Sequence, residues 1–273
     1  MKLGKYVTVS VFILAVLRGI VPADGGVVGY WRFEDGGGGT AVDETGRYNG
    51  DLTGFYYHDP GIGDTEHAQG WSTNVSAATV PQTGAANTGS IHMGGGGAYV
   101  DLSNGQDMFL GTSYTVEMFM RPDMPIIGSS VFGLSGWSGI GLSLTESLGV
   151  LYWNMSFNSE MPYTLATGVE IDAWQHVALV KIPGQYSIYI NGLLEATGGV
   201  GSNGDGPYWF PGTDNSGDRV IGGDSGTFRG WLDEFRISDT ALTPDQFLCA
   251  IPEPSTLGLM LLGAAGLAWR RRM

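Results

Sequence analysis

The sequence predicts an all-β domain, a sandwich of two antiparallel sheets. Short apolar or alternating runs are separated by glycine, proline and serine over most of the chain, which is the spacing typical of a sandwich. The pair Asn191-Gly192 stands between two such runs and predicts a tight hairpin. Residues 230–237 alternate with period two and predict a further strand near the end of the domain. Nothing in the sequence indicates repeats or a second domain.

Each predicted strand follows from its own pattern and its flanking turn residues. The first is Val27–Phe33, followed by a glycine-rich loop and a tight turn at Asn49-Gly50. Residues 55–88 are polar without a sustained period and predict a long surface excursion; a second long loop covers residues 200–218. The strands expected between the two loops are His92–Leu102, Tyr114–Met120, Ser130–Leu134, Gly139–Leu144, Val150–Phe157, Trp174–Lys181, Gln185–Ile190 and Leu193–Thr197.

The stretch of residues 219–248 predicts how the domain closes. The pattern Thr243, Pro244 and Gln246 predicts a capped helical turn after the last strand. We expect this strand to lie beside the first one, so that the two ends of the domain meet. Strict alternation would put Trp231, Asp233, Phe235 and Ile237 on one face of the strand and Leu232, Glu234, Arg236 and Ser238 on the other.

Four segments together resemble one known family. Residues 27–54, 98–123, 173–198 and 226–247 follow the order of the laminin-G-like, concanavalin A-like jelly-roll family, with an insertion around residues 55–88. The resemblance implies a concanavalin A-like jelly-roll β-sandwich. The family includes lectins, adhesion modules and enzyme appendages, so the fold alone does not name a function.

Both ends of the chain resemble targeting segments. Residues 1–23 combine two lysines, an apolar run and small residues, which predicts a secretory signal peptide. Residues 251–273 contain Pro252-Glu253-Pro254, an apolar run and three arginines, and resemble a PEP-CTERM sorting signal. The alternative is an ordinary single-pass anchor, for which the run of residues 257–269 is short. Between the two lies the domain, residues 24–250.

The sorting resemblance implies where the protein works. It implies export across the inner membrane of a Gram-negative bacterium, transient membrane insertion of the tail as a short transmembrane helix, and processing by an exosortase. It also implies a link with exopolysaccharide or biofilm matrix, as a secreted or cell-surface protein. Seven basic and 26 acidic residues between positions 24 and 250 leave a formal charge of −19. This charge repels phosphate, so nucleic acid is excluded as a partner.

One segment is similar to a catalytic signature without completing it. Glu170, Asp172 and Gln175 nearly match the carboxylate pattern of laminarinase-like glucanases, which share the jelly-roll fold. An amide at Gln175 cannot act as acid and base. We therefore expect no enzyme activity, and a divergent glucanase-like hydrolase remains an alternative.

Calcium is the metal that the sequence favours, because the domain is acidic and Ca²⁺ takes carboxylate and carbonyl oxygens. If strand pairing brings Asp43 and Asp233 together, they and the turn at Asn49 would form a structural Ca²⁺ site. The alternative is that Asp43 caps its own turn and that Asp233 accepts hydrogen bonds from backbone amides.

Aromatic residues in the two long loops are the predicted ligand-binding residues. Trp209 with Tyr208, and Trp71, could stack on sugar rings if they are exposed. Packing of the loops onto the sandwich would explain them equally well. The sequence thus favours an exported, non-catalytic protein that binds extracellular carbohydrate or another matrix component. A purely structural matrix protein without a discrete ligand is the alternative.

Overall fold

The computed structural model describes residues 26–54, 70–94, 97–103, 107–123, 129–134, 139–157, 162–210, 219–222 and 228–251. The predicted signal peptide and residues 252–273 lie outside these ranges. Among the residues that the structure describes, no helix is long and apolar enough to cross a membrane. The strands are β1 (Val27–Trp31), β2 (Thr40–Ala41), β3 (Gly50–Thr53), β4 (Trp71–Ser72), β5 (Ser90–Gly94), β6 (Tyr99–Asp101), β7 (Met108–Leu110), β8 (Tyr114–Pro122), β9 (Ser129–Leu134), β10 (Ile140–Ser147), β11 (Val150–Phe157), β12 (Tyr163–Leu165), β13 (Gln175–Ile182), β14 (Gln185–Ile190), β15 (Leu193–Gly199), β16 (Tyr208–Phe210), β17 (Arg219–Ile221) and β18 (Arg229–Ser238).

These strands form the predicted sandwich of two antiparallel sheets. Sheet 1 has the order β15-β14-β13-β8-β18-β5-β4, with β1 also paired to β18. Sheet 2 has the order β12-β11-β10-β9-β17-β6-β3-β2, and β7 pairs with β16 in a separate ribbon. One large apolar cluster with members from both sheets, including Trp31, Trp153 and Phe235, forms the core.

The local predictions for hairpin and closing strand are confirmed. Asn191 and Gly192 have φ angles of 51° and 77°, the left-handed pair that a two-residue hairpin between β14 and β15 requires. Strand β1 pairs with β18, with Val27 opposite Ser238, so the two ends of the domain meet. The capped turn is a 3-10 helix at Pro244–Gln246, where Gln246 Oε1 accepts the N–H of Thr243 at 3.0 Å.

The predicted alternation along the closing strand is wrong after Asp233. A bulge lies between Asp233 and Arg236, with Glu234 at φ 52°. The extra residue shifts the alternation by one position, as bulges do. Leu232, Phe235 and Ile237 therefore share the core face. The polar groups of the strand gather on the outer face.

The outer face of sheet 1 is covered by two segments. Residues 240–250, which we call the C-terminal strap, pack Leu242, Phe247 and Leu248 over this sheet. Residues 74–88, which we call the cover segment, lie beside the strap, and Gln82 N donates to Leu248 O at 3.1 Å. The described part of the predicted excursion is therefore a packed layer.

Two other sequence predictions differ from the structure. The predicted strand at residues 92–102 is two strands in different sheets, because β5 belongs to sheet 1 and β6 to sheet 2. The turn predicted at Asn49-Gly50 lies earlier, where Gly46 N donates to Asp43 O at 2.7 Å and Gly46 has φ 73°. Gly50 is instead the first residue of β3.

Candidate functional site

The outer face of sheet 2 carries a patch of uncharged side chains on β9 to β12. Directly opposed residues on neighbouring strands point to the same side of a sheet, so the strand pairing arranges these side chains in three rows that run across the strands. We call this patch the neutral face, with the rows Gly133, Gly141 and Ser156; Ser130, Ser143, Asn154 and Tyr163; and Thr145, Tyr152 and Leu165.

The middle row of the neutral face is the most polar. It places two hydroxyls, an amide and a phenol side by side across four strands. Tyr163 is 61% exposed and Leu165 is 48% exposed, whereas Tyr152 is half-buried. Asn154 Oδ1 is buried and has no hydrogen-bond partner within the described ranges. The first row consists of two glycines and a serine, so its side chains project little from the sheet beside the polar row.

The outer face of sheet 1 holds a buried ion network instead of an open surface. Glu117 Oε2 lies 2.7 Å from His176 Nε2 and accepts Leu248 N at 2.9 Å. Its other oxygen accepts Arg236 Nε at 2.8 Å, and Arg236 Nη2 donates to Gln246 O at 3.0 Å. Burial by itself raises the pKa of Glu117, but the bond to His176 and the charge of Arg236 outweigh it and lower the pKa. The carboxylate therefore fastens the C-terminal strap to the sheet.

The bulge residues of β18 hold the neighbouring cover segment. Asp233 Oδ2 accepts Ser76 N at 3.1 Å, Ser76 Oγ at 2.9 Å and Asn87 Nδ2 at 2.8 Å. Burial, together with the charge of the neighbouring Glu234, raises the pKa of Asp233 to about 7 against the hydrogen bonds from Asn87 and Ser76. Glu234 pairs with Arg32 at 2.8 Å.

Cys249 is a half-buried thiol in the C-terminal strap. It packs against both apolar clusters beneath the strap, as expected for a small apolar residue. Burial first, and the charge of Glu117 second, raise its pKa to about 11. The protonated form is therefore the stable one at neutral pH, which disfavours a reactive role.

Two of the three predicted ligand-binding aromatic residues are buried, whereas stacking on a sugar requires an exposed ring. Trp71 is 5% exposed, and its Nε1 donates to Gly38 O at 2.9 Å. Tyr208 is 6% exposed, and its hydroxyl donates to Gly204 O at 2.9 Å. Neither ring offers an open face. Trp209 is the register partner of Phe109 in the β7–β16 ribbon, but its side chain lies outside the described part of the structure.

Asp43 does not fit a calcium ligand. Its carboxylate is buried and accepts the N–H groups of Tyr30 at 2.8 Å, Thr45 at 3.0 Å, Arg47 at 3.1 Å and Tyr48 at 3.0 Å, together with the hydroxyl of Thr45. Five donors already point at its two oxygens, and the positive ends of N–H dipoles repel a cation. The alternative that Asp43 caps its own turn describes this geometry.

The other two predicted ligands belong to separate arrangements. Asn49 Oδ1 accepts Asp43 N at 3.0 Å, so it is turned toward the peptide group and completes the same turn. Asp233 is engaged with the cover segment and does not join Asp43. Within the ranges that the structure describes, no group of three or more His, Cys, Asp and Glu side chains could hold a metal ion.

Gln175 has a structural function in the loop before β13. It is 4% exposed, accepts Glu170 N at 2.8 Å and donates to Gly168 O at 2.6 Å. The amide thus closes the loop with both of its polar ends. Asp172 is exposed and contacts Arg121 at 3.4 Å.

Sequence reasoning missed the neutral face, although its signal is present in β10 and β11. Polar and small residues alternate there with Leu142, Leu144, Trp153 and Met155, all of which are buried in the core. The outward half of that alternation is the neutral face. What the pattern did not reveal is which of the two outer faces stays open.

The comparisons with known proteins agree with this fold. The family model described as the concanavalin A-like lectin/glucanases superfamily matches residues 94–247, more than half of the chain. The model of the PEP-CTERM protein-sorting motif matches residues 250–272, which marks the protein as one exported by Gram-negative bacteria. No curated protein matches the chain.

Two solved structures show how far the similarity extends. Domain 4 of AbnA, a GH43 extracellular arabinanase from Geobacillus stearothermophilus, was determined in complex with arabinotriose. It is 19% identical, with a TM-score of 0.53 over 82% of this chain and 97% of that one. The Trypanosoma rangeli sialidase is 17% identical, with a TM-score of 0.49 over 83% of this chain and 32% of that one. With the family match and the sandwich described above, the chain belongs to the concanavalin A-like lectin/glucanase superfamily and carries a PEP-CTERM sorting motif.

Proposed function

We propose that this exported domain is a non-catalytic carbohydrate-binding module of the extracellular matrix, and that it holds polysaccharide on the neutral face. The observation that carries the proposal is the middle row of that face, where Ser130, Ser143, Asn154 and Tyr163 lie side by side. Hydroxyl and amide groups match the donors and acceptors of sugar hydroxyls, and an exposed tyrosine ring can lie against the C–H face of a sugar.

The two outer faces of the sandwich differ in a way that supports this assignment. Sheet 1 is closed by the strap and the cover segment, which bury Glu117, Asp233 and Arg236. The rows of the neutral face are half-buried or exposed. An accessible, uncharged surface suits an extended polymer, whereas a closed ionic layer does not.

The position of the sorting motif also favours the neutral face. Ala250 lies in the strap on the outer side of sheet 1, and the next residue, Ile251, is 81% exposed. The motif therefore begins on the side of the sandwich opposite the neutral face. Because six residues separate Ala250 from the apolar run at Leu257, sheet 1 would be the side nearer the membrane before processing, at most about 25 Å away. The neutral face would point away from the membrane.

Binding of the full chain, purified in non-ionic detergent, to an array of polysaccharides that includes the producer's own matrix tests the proposal. We expect retention on at least one polysaccharide and about tenfold weaker binding by Tyr163→Ala, as for the loss of about 1.4 kcal/mol of ring contact. Tyr163→Phe keeps the ring and is the matched control, expected to stay within about threefold of the wild type.

Other outcomes of this experiment identify the alternatives. An effect of Trp209→Ala without an effect of Tyr163→Ala would move the site to the β7–β16 ribbon. A well-folded protein that binds nothing in the array would support a structural matrix protein without a discrete ligand, and release of shortened sugars would indicate a hydrolase. Repeating the array in calcium and in chelator tests the predicted dependence on Ca²⁺.

A further inference from the structure

We propose that the ligand of the neutral face is an uncharged polysaccharide, and that the domain discriminates against polymers that carry carboxylate or sulfate groups. This inference rests on the proposed function and adds the chemical class of the ligand. Proteins bind anionic polymers through Lys and Arg side chains that are available at the surface. The inference therefore depends on where the basic residues of the domain lie.

The domain has few basic residues, and all of them are described. Of the 13 Lys and Arg residues in the chain, three precede residue 24 and three follow residue 250, which leaves seven. The 26 acidic residues of the same stretch give it a formal charge of −19. A polyanion thus approaches a surface that repels it at long range, most strongly at low ionic strength.

Internal partners engage the seven cations. Lys181 and Arg219 are fully buried. Arg47 is exposed and also interacts with another group of the domain. Lys181 and the remaining four arginines each form an ion pair. The pairs are Arg32 with Glu234, Arg121 with Asp172, Lys181 with Asp205, Arg229 with Asp123 and Arg236 with Glu117.

Releasing two of these cations, Arg32 and Arg236, for a ligand would be costly. Arg236 and Arg32 face Glu117 and Glu234, whose side chains are fully buried. Taking the partner from a buried carboxylate leaves an uncompensated charge in the interior. A sulfate or uronate could therefore recruit these groups only by disrupting the layer that holds the strap and the cover segment.

The neutral face itself contains no ionisable side chain other than its two tyrosines. On the outer side of sheet 2, the row of Gly133 continues through Val220 to Asp101 and Asp51, which lie directly opposite one another on β6 and β3. An uncharged sugar chain can form hydrogen bonds on this surface, and the negative charge of the domain does not repel it. An anionic chain gains no countercharge there.

The test compares one sugar backbone in three charge states. The probes are cellulose and dextran, and each backbone is used in three forms: uncharged (unmodified or as a neutral ether), carboxymethylated and sulfated. Any other polysaccharide that the array retains is compared with its own sulfated form. Binding to the full chain in non-ionic detergent is measured at about 20 mM and about 500 mM NaCl, which span strong and weak screening. We expect the neutral form to bind with little salt dependence, and the anionic forms of the same backbone to bind at least tenfold more weakly at low salt.

An engineered cation makes the test sharper. Ser143→Lys adds one free charge to the middle row and should raise affinity for the sulfated backbone by at least threefold at low salt. Thr83→Lys makes the same charge change at an exposed position of the cover segment, on the opposite outer side of the sandwich, and should leave that affinity unchanged.

The outcomes separate the two proposals. Tighter, salt-sensitive binding of an anionic form that is lost in Tyr163→Ala would overturn the ligand class while the proposed function stands. No binding to any polysaccharide would overturn the proposed function and the ligand class with it. Binding of amino-bearing polymers that disappears at about 500 mM NaCl would result from attraction to the domain's charge of −19. If the neutral form still binds at that salt concentration, this outcome supports an uncharged polysaccharide as the ligand.

Discussion

Replacing Asp43 by alanine tests how the first turn of the domain is stabilised. The substitution removes the acceptor of four backbone N–H groups and one hydroxyl, in a carboxylate that is 1% exposed. Each buried donor left unpaired costs about 1–3 kcal/mol, and water entering the vacated space recovers part of it. We expect a total loss of about 3–5 kcal/mol in the free energy of unfolding.

The assay is thermal unfolding followed by circular dichroism, in calcium and again in chelator. For a domain of this size, a loss of about 1 kcal/mol lowers Tm by about 2–4 °C, so we expect a decrease of about 6–20 °C. The decrease should be equal in the two buffers, because the structure assigns Asp43 to hydrogen bonding. Asp43→Asn keeps one acceptor oxygen and should fall between wild type and Asp43→Ala.

The control is Asp51→Ala, an exposed carboxylate opposite Asp101. Its removal relieves a like-charge pair and should leave Tm unchanged or slightly raised. A loss at Asp43 that occurs in calcium and vanishes in chelator would refute the hydrogen-bond account and restore a calcium ligand. A loss below about 1 kcal/mol in both buffers would show that the turn does not depend on the carboxylate.

Three further predictions concern the layer on the outer face of sheet 1. Glu117→Gln leaves Arg236 without its countercharge and should cost about 3–5 kcal/mol at neutral pH. Because the folded pKa of Glu117 is lowered, its contribution is complete above the ordinary glutamate pKa and is lost as pH falls from there through the folded pKa. Urea titrations from pH 7 downward should therefore show a difference between wild type and Glu117→Gln that shrinks below the ordinary glutamate pKa. The pH dependence expected from Asp233 is opposite in sign. With a folded pKa of about 7, its contribution to stability is full below pH 4 and is lost as pH rises through 7, by at most about 4 kcal/mol. Asp233→Asn should therefore make stability less dependent on pH between pH 5 and 8, and an unchanged slope would contradict this. A chain that ends at Ala250 should keep the wild-type Tm, whereas one that ends at Asp239 loses the strap and should unfold or bind a hydrophobic dye; equal stability of the two would refute the fastening function of the strap.

The strand pattern was predictable because it depends on neighbours in the chain. Alternation of apolar and polar residues placed β13, β14 and the closing strand nearly where they lie. Asn191-Gly192 predicted its hairpin because few residues other than asparagine and glycine adopt two consecutive positive φ angles. These signals need no knowledge of distant contacts.

The candidate site was harder to predict because it depends on what covers each sheet. Trp71 and Tyr208 lie in loop-like sequence and look available, yet the sandwich buries them. The strap and the cover segment close one outer face, and nothing local in β10 or β11 shows that the other face remains open. Coverage is a property of segments far apart in the chain.

The sequence by itself determined the all-β class, the family resemblance, the sorting motif, the strong negative charge and most of the strands. Tertiary structure alone decided the bulge at Glu234, which turns Asp233 and Glu234 to the same side of β18. It also decided that Asp43 serves its own turn and that an uncharged surface lies on sheet 2. The physical reason is that periodicity, charge and turn chemistry act between neighbouring residues, whereas burial and partner choice depend on contacts between distant ones.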